Sequence, residues 1–402
     1  MPFHQHTPAS IRSLRGRHLL LLLSLGLGAC SSLNPMNWFG DDEVNPPAEL
    51  QDINEQVSLR RDWSVNVGNG QGDTFVELTP ALDGDTIYAA AENGRVVAVD
   101  VSSGDVRWRT RLDESIIGGV GASNGLVMLG TNNAEVVVLA QQDGSEIWRQ
   151  QVSSEVLSSP RSNGDVVVVQ TVDDKLIALE ADSGEQRWIY ETTLPPLTLR
   201  GTSRPVITSS DMVIAGFSNG TLVAVNAEDG VWSWEERVAV PEGRYDIERV
   251  IDVDGDLVLD GSRVLAASYQ GNLMAFDVVS GRIVWGTEAS SYHGLALGFG
   301  NIYFSDDRGY IVAMQDNSEE IVWESGDLQY RSLTAPTTVG NFVAVADFEG
   351  YVHLLSQIDG SIVGRTRVDN DGIRANLINR AGRLFVYGNS GRLTALSLQQ
   401  RS

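Results

Sequence analysis

The chain has one cysteine and one lysine, and its only long apolar run lies near the N-terminus. A lone Cys30 excludes an intramolecular disulfide. Lys175 is the only lysine, so the basic residues are almost all arginine, and 53 acidic residues against 29 basic ones leave a formal charge of −24. Such a surface repels nucleic acid and anionic lipid headgroups. Beyond residue 29 the histidines are His293 and His353, too few and too far apart in sequence for a metal cluster. Nucleophile-elbow and phosphate-loop motifs are missing too.

The apolar run, Leu19–Leu27, is too short for a permanent membrane span. Arg12, Arg15 and Arg17 precede it and Leu27-Gly28-Ala29-Cys30 follows, which is the grammar of a cleaved export signal. Residues 31–58 hold NPMNWFGDDEVNPPAEL, rich in Asn, Pro and Asp and without strand period, and read as a tether.

What is abundant is one repeated phrase. RVVAVDVSSGDVRW ends at Trp108 and returns ending at Trp148, Trp188, Trp234, Trp285 and Trp323. A seventh copy has Gly364 where Trp belongs, and an eighth, from Arg392, runs out of chain. Each copy alternates apolar and polar residues and is rich in β-branched side chains, so it is strand. Ten residues separate a central small or apolar residue from the Trp, as from Ala98 to Trp108 and Ala178 to Trp188. Four residues before the Trp position sits a glycine, from Gly104 to Gly360, suited to a tight hairpin turn. Glu319 replaces it in the sixth copy, where the turn should be looser.

Self-similarity near 40 residues means stacked sheets. Seven complete hairpins and one incomplete one predict an all-β chain, an eight-bladed β-propeller with four-stranded blades over 59–402. Leu59–Val67 carries Trp63 and has no blade of its own, so it should pair beside Arg392–Leu398 and close the ring. The tryptophans are then core between blades and not a stacking platform for a ligand.

The Trp-to-Trp steps locate insertions. Two steps of 40 residues are followed by 46 and then 51, before blades four and five. The first insertion is LPPLTLRG, 194–201, where two prolines keep Leu197, Leu199 and Arg200 extended. The second contains IDVDGD, 251–256. Asp252, Asp254 and Asp256 alternate as in a calcium loop, but Leu257 and Arg263 stand where an EF-hand needs Gly and Glu. Carboxylates bonded to backbone or basic partners are the expectation, with no metal. If both insertions use the same type of connection, they are neighbours on one face.

The repeat A-x-[DN]-x-x-x-G-x-x-x-W resembles the quinoprotein, or PQQ-type, propeller repeat. Leu27–Cys30 resembles a bacterial lipobox. That resemblance implies a signal peptide over 1–29, acylation of Cys30 and a lipidated tether over 30–58. Ser31, being other than Asp, implies export to the outer membrane, with the body on the periplasmic face and lipid as its only membrane anchor. Loss of the three leader arginines takes the charge from −24 to −27. Lipobox, repeats, LTLR and DVD together resemble the BamB family of barrel-assembly lipoproteins. The family resemblance implies a scaffold without enzymatic activity or cofactor. Its implied partners are the POTRA domains of BamA, held through Leu197, Leu199, Arg200, Asp252 and Asp254, with unfolded outer-membrane clients beside them. The competing classes are a quinone-dependent dehydrogenase and a propeller that binds a ligand in its channel. The dehydrogenase resemblance would bring a calcium site and commonly a vicinal disulfide, which a single cysteine cannot form.

Overall fold

The computed structural model describes residues 45–72, 76–199, 202–241, 244–245 and 250–400. Eight antiparallel four-stranded sheets follow one another along the chain. Blade one is Ala81–Asp83, Thr86–Ala90, Arg95–Asp100 and Val106–Arg111. Its plan recurs through blade seven, which ends with Tyr351–Ser356 and Ile362–Arg367. The short first strands of neighbouring blades touch and so line the axis, while the Trp-bearing fourth strands form the rim.

Blade eight is assembled from both ends of the chain. Ile378–Arg380, Arg383–Tyr387 and Arg392–Gln400 supply three strands, and Val57–Asn66 supplies the outermost. Trp63 lies opposite Ala395, as Trp108 lies opposite Ala98 and Trp188 opposite Ala178. The constant ten-residue spacing is therefore a cross-strand pair. In each hairpin a register shift follows the small residue, the extra residue of a bulge that aims the indole at the next blade.

Each indole docks on the third-to-fourth-strand turn of the following blade. The N–H of Trp63, Trp108, Trp148, Trp188, Trp234 and Trp323 donates to the carbonyl just past that blade's third strand, at 2.8–3.1 Å. The turn glycine lies against the same ring. A Cβ on Gly104, Gly144, Gly184, Gly230, Gly281 or Gly360 would sit 2.5–2.8 Å from indole atoms, and all six have φ between 70° and 77°. Glycine is needed there for conformation and for room.

The two departures from the repeat fall where this docking changes. Trp285 faces the turn that carries Glu319, and its buried N–H finds no acceptor among the described residues. That turn is tighter, not looser as the sequence led one to expect. Ser318 N–H donates to Gln315 C=O, three residues back, where Gly104 reaches four residues back to Asp100. Asn317, at φ 61°, carries the left-handed conformation instead. Gly364 meets no such turn, because blade eight takes its outer strand from the N-terminus. A Cβ there would lie 2.5 Å from the Val57 carbonyl, so backbone occupies the place of an indole.

The compact body begins at Pro47, twelve residues before the boundary read from the sequence. Gln56 N–H donates to Val363 C=O, Arg365 to Gln51 C=O, and Ala48 N–H to Gln329 C=O. Leu50 packs against the core cluster that includes Trp323, Leu328 and Leu333. Residues 47–56 thus form a strap along the rim of blade seven. Their low apolar content hid this, because the strap is held mainly through backbone amides and carbonyls.

Removing an indole N–H should cost more where it is bonded. Trp148→Phe orphans the Ala181 carbonyl and should lose about 1 kcal/mol more in urea unfolding than Trp285→Phe, which breaks no such bond. Trp63→Ala, a large-to-small change at the closure, should cost about 3–5 kcal/mol. Equal losses at Trp148 and Trp285 would show that the indole bond contributes nothing.

Candidate functional site

Fourth strands end, and the next first strands begin, on one face of the ring. The connections between them converge there around the axis. Leu194–Gly201 lies between Gln186–Glu191 and Val206–Ile207, and Ile251–Asp256 lies between Trp232–Arg237 and Val258–Asp260. Both insertions are therefore connections of the same type between consecutive blades, as neighbouring on one face requires.

They also touch. The Leu199 amide is near enough to the Asp252 carboxyl to lower its pKa, and the Asp254 carboxyl is near enough to raise it. The Asp252 carbonyl accepts the Tyr269 N–H at 2.9 Å, pinning the second insertion to blade five. Asp252 is only 1 % exposed. A direct contact with a partner's donors does not fit a carboxyl so enclosed; it acts on the neighbouring loop. Burial first, and then the Asp254 charge, raise the Asp252 pKa well above the carboxylate range. Asp254 is raised too, chiefly by burial. Burial and mutual repulsion thus disfavour ionising both carboxyls together. Asp256 is paired with Arg204 at 2.6 Å. The alternating aspartates thus serve backbone and basic partners, as the sequence led one to expect. Among the described residues no group of three or more side chains is arranged to hold a metal ion.

Leu197 and Leu199 stay 46 % and 43 % exposed, beside an equally open Leu194. Apolar side chains on a solvated loop cost free energy unless something covers them. Arg200 and Cys30 lie outside the described residues. The structure therefore brings Leu199, Asp252 and Asp254 together, with Leu197 on the same loop.

Beside them opens an axial funnel of about 450 Å³, lined among others by Glu77, Leu199, Arg204, Asp254, Tyr292 and His293. Water reaches Glu77 in the funnel while protein encloses it. Burial, reinforced by Asp256, outweighs Arg204 and Arg374 and pushes its carboxyl up to about 7. Burial pushes His293 down to about 4, so it is neutral at pH 7. Sequence reasoning missed these funnel groups. They sit in connections of unequal length from different blades, and only closure of the ring gathers them.

The fold and its loop-built face define a class: eight-bladed propellers of PQQ-type repeats with insertions before blades four and five. A family model described as outer membrane protein assembly factor BamB matches residues 45–116 and 111–325. The outer membrane protein assembly factor BamB of Pseudomonas aeruginosa is 53% identical over 380 residues, covering 94% of this chain and 98% of that protein. The crystal structure of BamB from Moraxella catarrhalis superposes with a TM-score of 0.77 at 28% identity, covering 84% of this chain and 99% of that one. The chain belongs to the BamB family of outer membrane protein assembly factors. A quinohemoprotein alcohol dehydrogenase from Comamonas testosteroni, TM-score 0.67 at 13% identity over 84% of this chain and 76% of that one, shares the fold alone.

The raised carboxyl pair makes a testable pH signature. An unfolded Asp titrates near 4, whereas the folded pair holds a proton above that. Folding takes up a proton in that window, so stability falls as pH rises from about 4 through the raised folded pKa. Asp252→Asn keeps an acceptor for Leu199 and a donor for Asp254, and should melt at the same or a higher temperature at pH 8. Asp252→Ala should lose about 1–3 kcal/mol by orphaning the Leu199 amide. If Asn and Ala variants melt alike across pH 4–8, the pair does not hold the loop.

Proposed function

We propose that this protein is a lipid-anchored periplasmic scaffold of the barrel-assembly machinery, without catalytic activity. It binds the POTRA domains of BamA through the LTLR and DVD insertions. The observation that carries the reading is the exposed leucine loop, braced from behind by the Asp252 carboxyl on the Leu199 amide. A braced loop presents Leu197 and Leu199 already ordered, which lowers the entropy lost on association. The two leucines are the apolar anchors, Arg200 meets a carboxylate or carbonyl, and Asp254 with Asp252 fixes the loop. The extended backbone around them can also add an edge strand to a partner's sheet. Unfolded outer-membrane clients are a second kind of partner for such a scaffold. The membrane contact is the lipid on Cys30 at the end of a tether over 30–46, and Ser31 sends the protein to the outer membrane.

Truncating an anchor costs about 2 kcal/mol, near thirtyfold in affinity. Leu197→Ala with Arg200→Ala should abolish capture of BamA from native membranes while fold and membrane location persist. Asp252→Ala with Asp254→Ala should do the same from the second insertion. Asp143→Ala with Glu146→Ala, a similar charge change at exposed positions of blade two, should capture normally. Capture by both loop variants at the level of that control removes this face as the interface.

The anchor is tested separately. Cys30→Ala should leave unlipidated protein, and Ser31→Asp should hold the protein in the inner membrane. Wild-type fractionation of both variants would contradict the lipoprotein reading.

A further inference from the structure

The strap and the strand it leads into touch opposite faces of the ring. Val57 begins the outer strand of blade eight. Every such strand begins at the face of the third-to-fourth-strand turns, away from the insertions. Going back along the chain, Gln56 bonds Val363 near the start of blade seven's outer strand, and Gln51 bonds Arg365 further along it. Ala48 reaches Gln329 and Arg331, in the connection between blades six and seven. That connection lies on the same face as LTLR and DVD.

A built cluster holds the strap there. Arg331, almost fully buried, donates from Nη1 to the Ala48 carbonyl at 2.9 Å and from Nε to Asp347 at 2.8 Å. Its Nη2 meets Glu349. His353 shares the same Asp347 oxygen at 3.0 Å, and Arg365 Nε donates to His353 Nδ1 at 3.2 Å while its Nη1 donates to Gln51 C=O at 2.9 Å. An occupied Nδ1 acceptor puts the imidazole proton on Nε2, facing Asp347. Val97, Val137 and Ile177 hold the matching position in blades one to three. His353 therefore departs from the repeat where the strap crosses.

We infer that Arg331 and Arg365 form a carbonyl clamp that moves the root of the N-terminal tether from the turn face of the propeller to the face that carries the LTLR and DVD insertions. Without the clamp the chain leaves the body at Val57. With it the chain leaves at Pro47, and the tether shortens to the seventeen residues 30–46, at most about 60 Å when extended. The membrane consequence rests on the lipid-anchor reading above: the insertion face is turned toward the anchoring bilayer. The clamp itself does not need that reading.

The test uses the mature chain with Cys30→Ser, which removes the only native thiol, and two pairs of spin labels. One pair joins Glu49→Cys, an exposed strap residue, to Asp307→Cys, in the exposed loop-face turn of blade six. The other joins Glu49→Cys to Glu319→Cys, in its exposed turn-face hairpin. The first distance should be shorter by 10 Å or more, about half the length of a six-residue strand. In Arg331→Ala with Arg365→Ala the difference should vanish or reverse. Because Arg331→Ala leaves Asp347 without its guanidinium, a second variant, Ala48→Pro with Leu50→Asp, releases the strap without touching the propeller wall and should give the same result. Unchanged distances in either folded variant overturn the clamp. Unlipidated wild-type protein with the clamp distances intact overturns only the anchor.

Discussion

The ring depends on one contact repeated around it: an indole laid on a glycine of the neighbouring blade, with its N–H closed on the carbonyl beside that glycine. Sheets packed face to face would slide if only apolar surface joined them, because apolar burial is non-directional. The indole bond adds direction. It fixes the height of each blade against the next and buries a large ring without leaving its polar atom unpaired. The bulge in the outer strand, the ten-residue spacing and the turn glycine are parts of that one contact, so they repeat together.

Because the contact is pairwise, each exception has a local cause. Gly364 is empty of indole because blade eight has no third-to-fourth-strand turn to receive one. Trp285 keeps its ring and loses its bond because Glu319 stands in the receiving turn. The seam between blades five and six therefore has packing without direction. The chain tolerates one such seam in a closed ring, since the other contacts still set the height of both blades.

The repeat, the blade number and the closing strand were legible in the sequence because each is set by near-neighbour chemistry: strand alternation, a turn glycine, a surplus Trp63. The two insertions were legible as departures from a constant step. The neighbour of Asp252 was not. Carboxylates in IDVDGD read as bonded to backbone or basic groups, but only the fold encloses one of them against the loop of the other insertion. The strap escaped notice for a related reason. Donation by Arg331 and Arg365 to strap carbonyls needs no particular side chain on residues 47–56, so that stretch shows no pattern. Its trace lay in the receiving blade, where His353 interrupts an apolar position and Arg331 sits in a connection.

Closure and the proposed anchor share one stretch of chain, and that sets a mechanical order. The strand that closes the ring is joined directly to the segment that leads to Cys30. A pull along that segment would peel Val57–Asn66 from Arg392–Gln400 one residue at a time, the weakest direction for an antiparallel ladder. The clamp lies upstream of the ladder. Load reaching Ala48 passes into Arg331 and Gln329, and load reaching Gln51 passes into Arg365. All three belong to blades six and seven or the connection between them, not to the closing blade. If the propeller is held through Cys30, as proposed, a ring closed by its own N-terminal strand needs such a point of attachment ahead of the strand. The buried Arg331–Asp347–His353 cluster supplies it on the same face as the insertions.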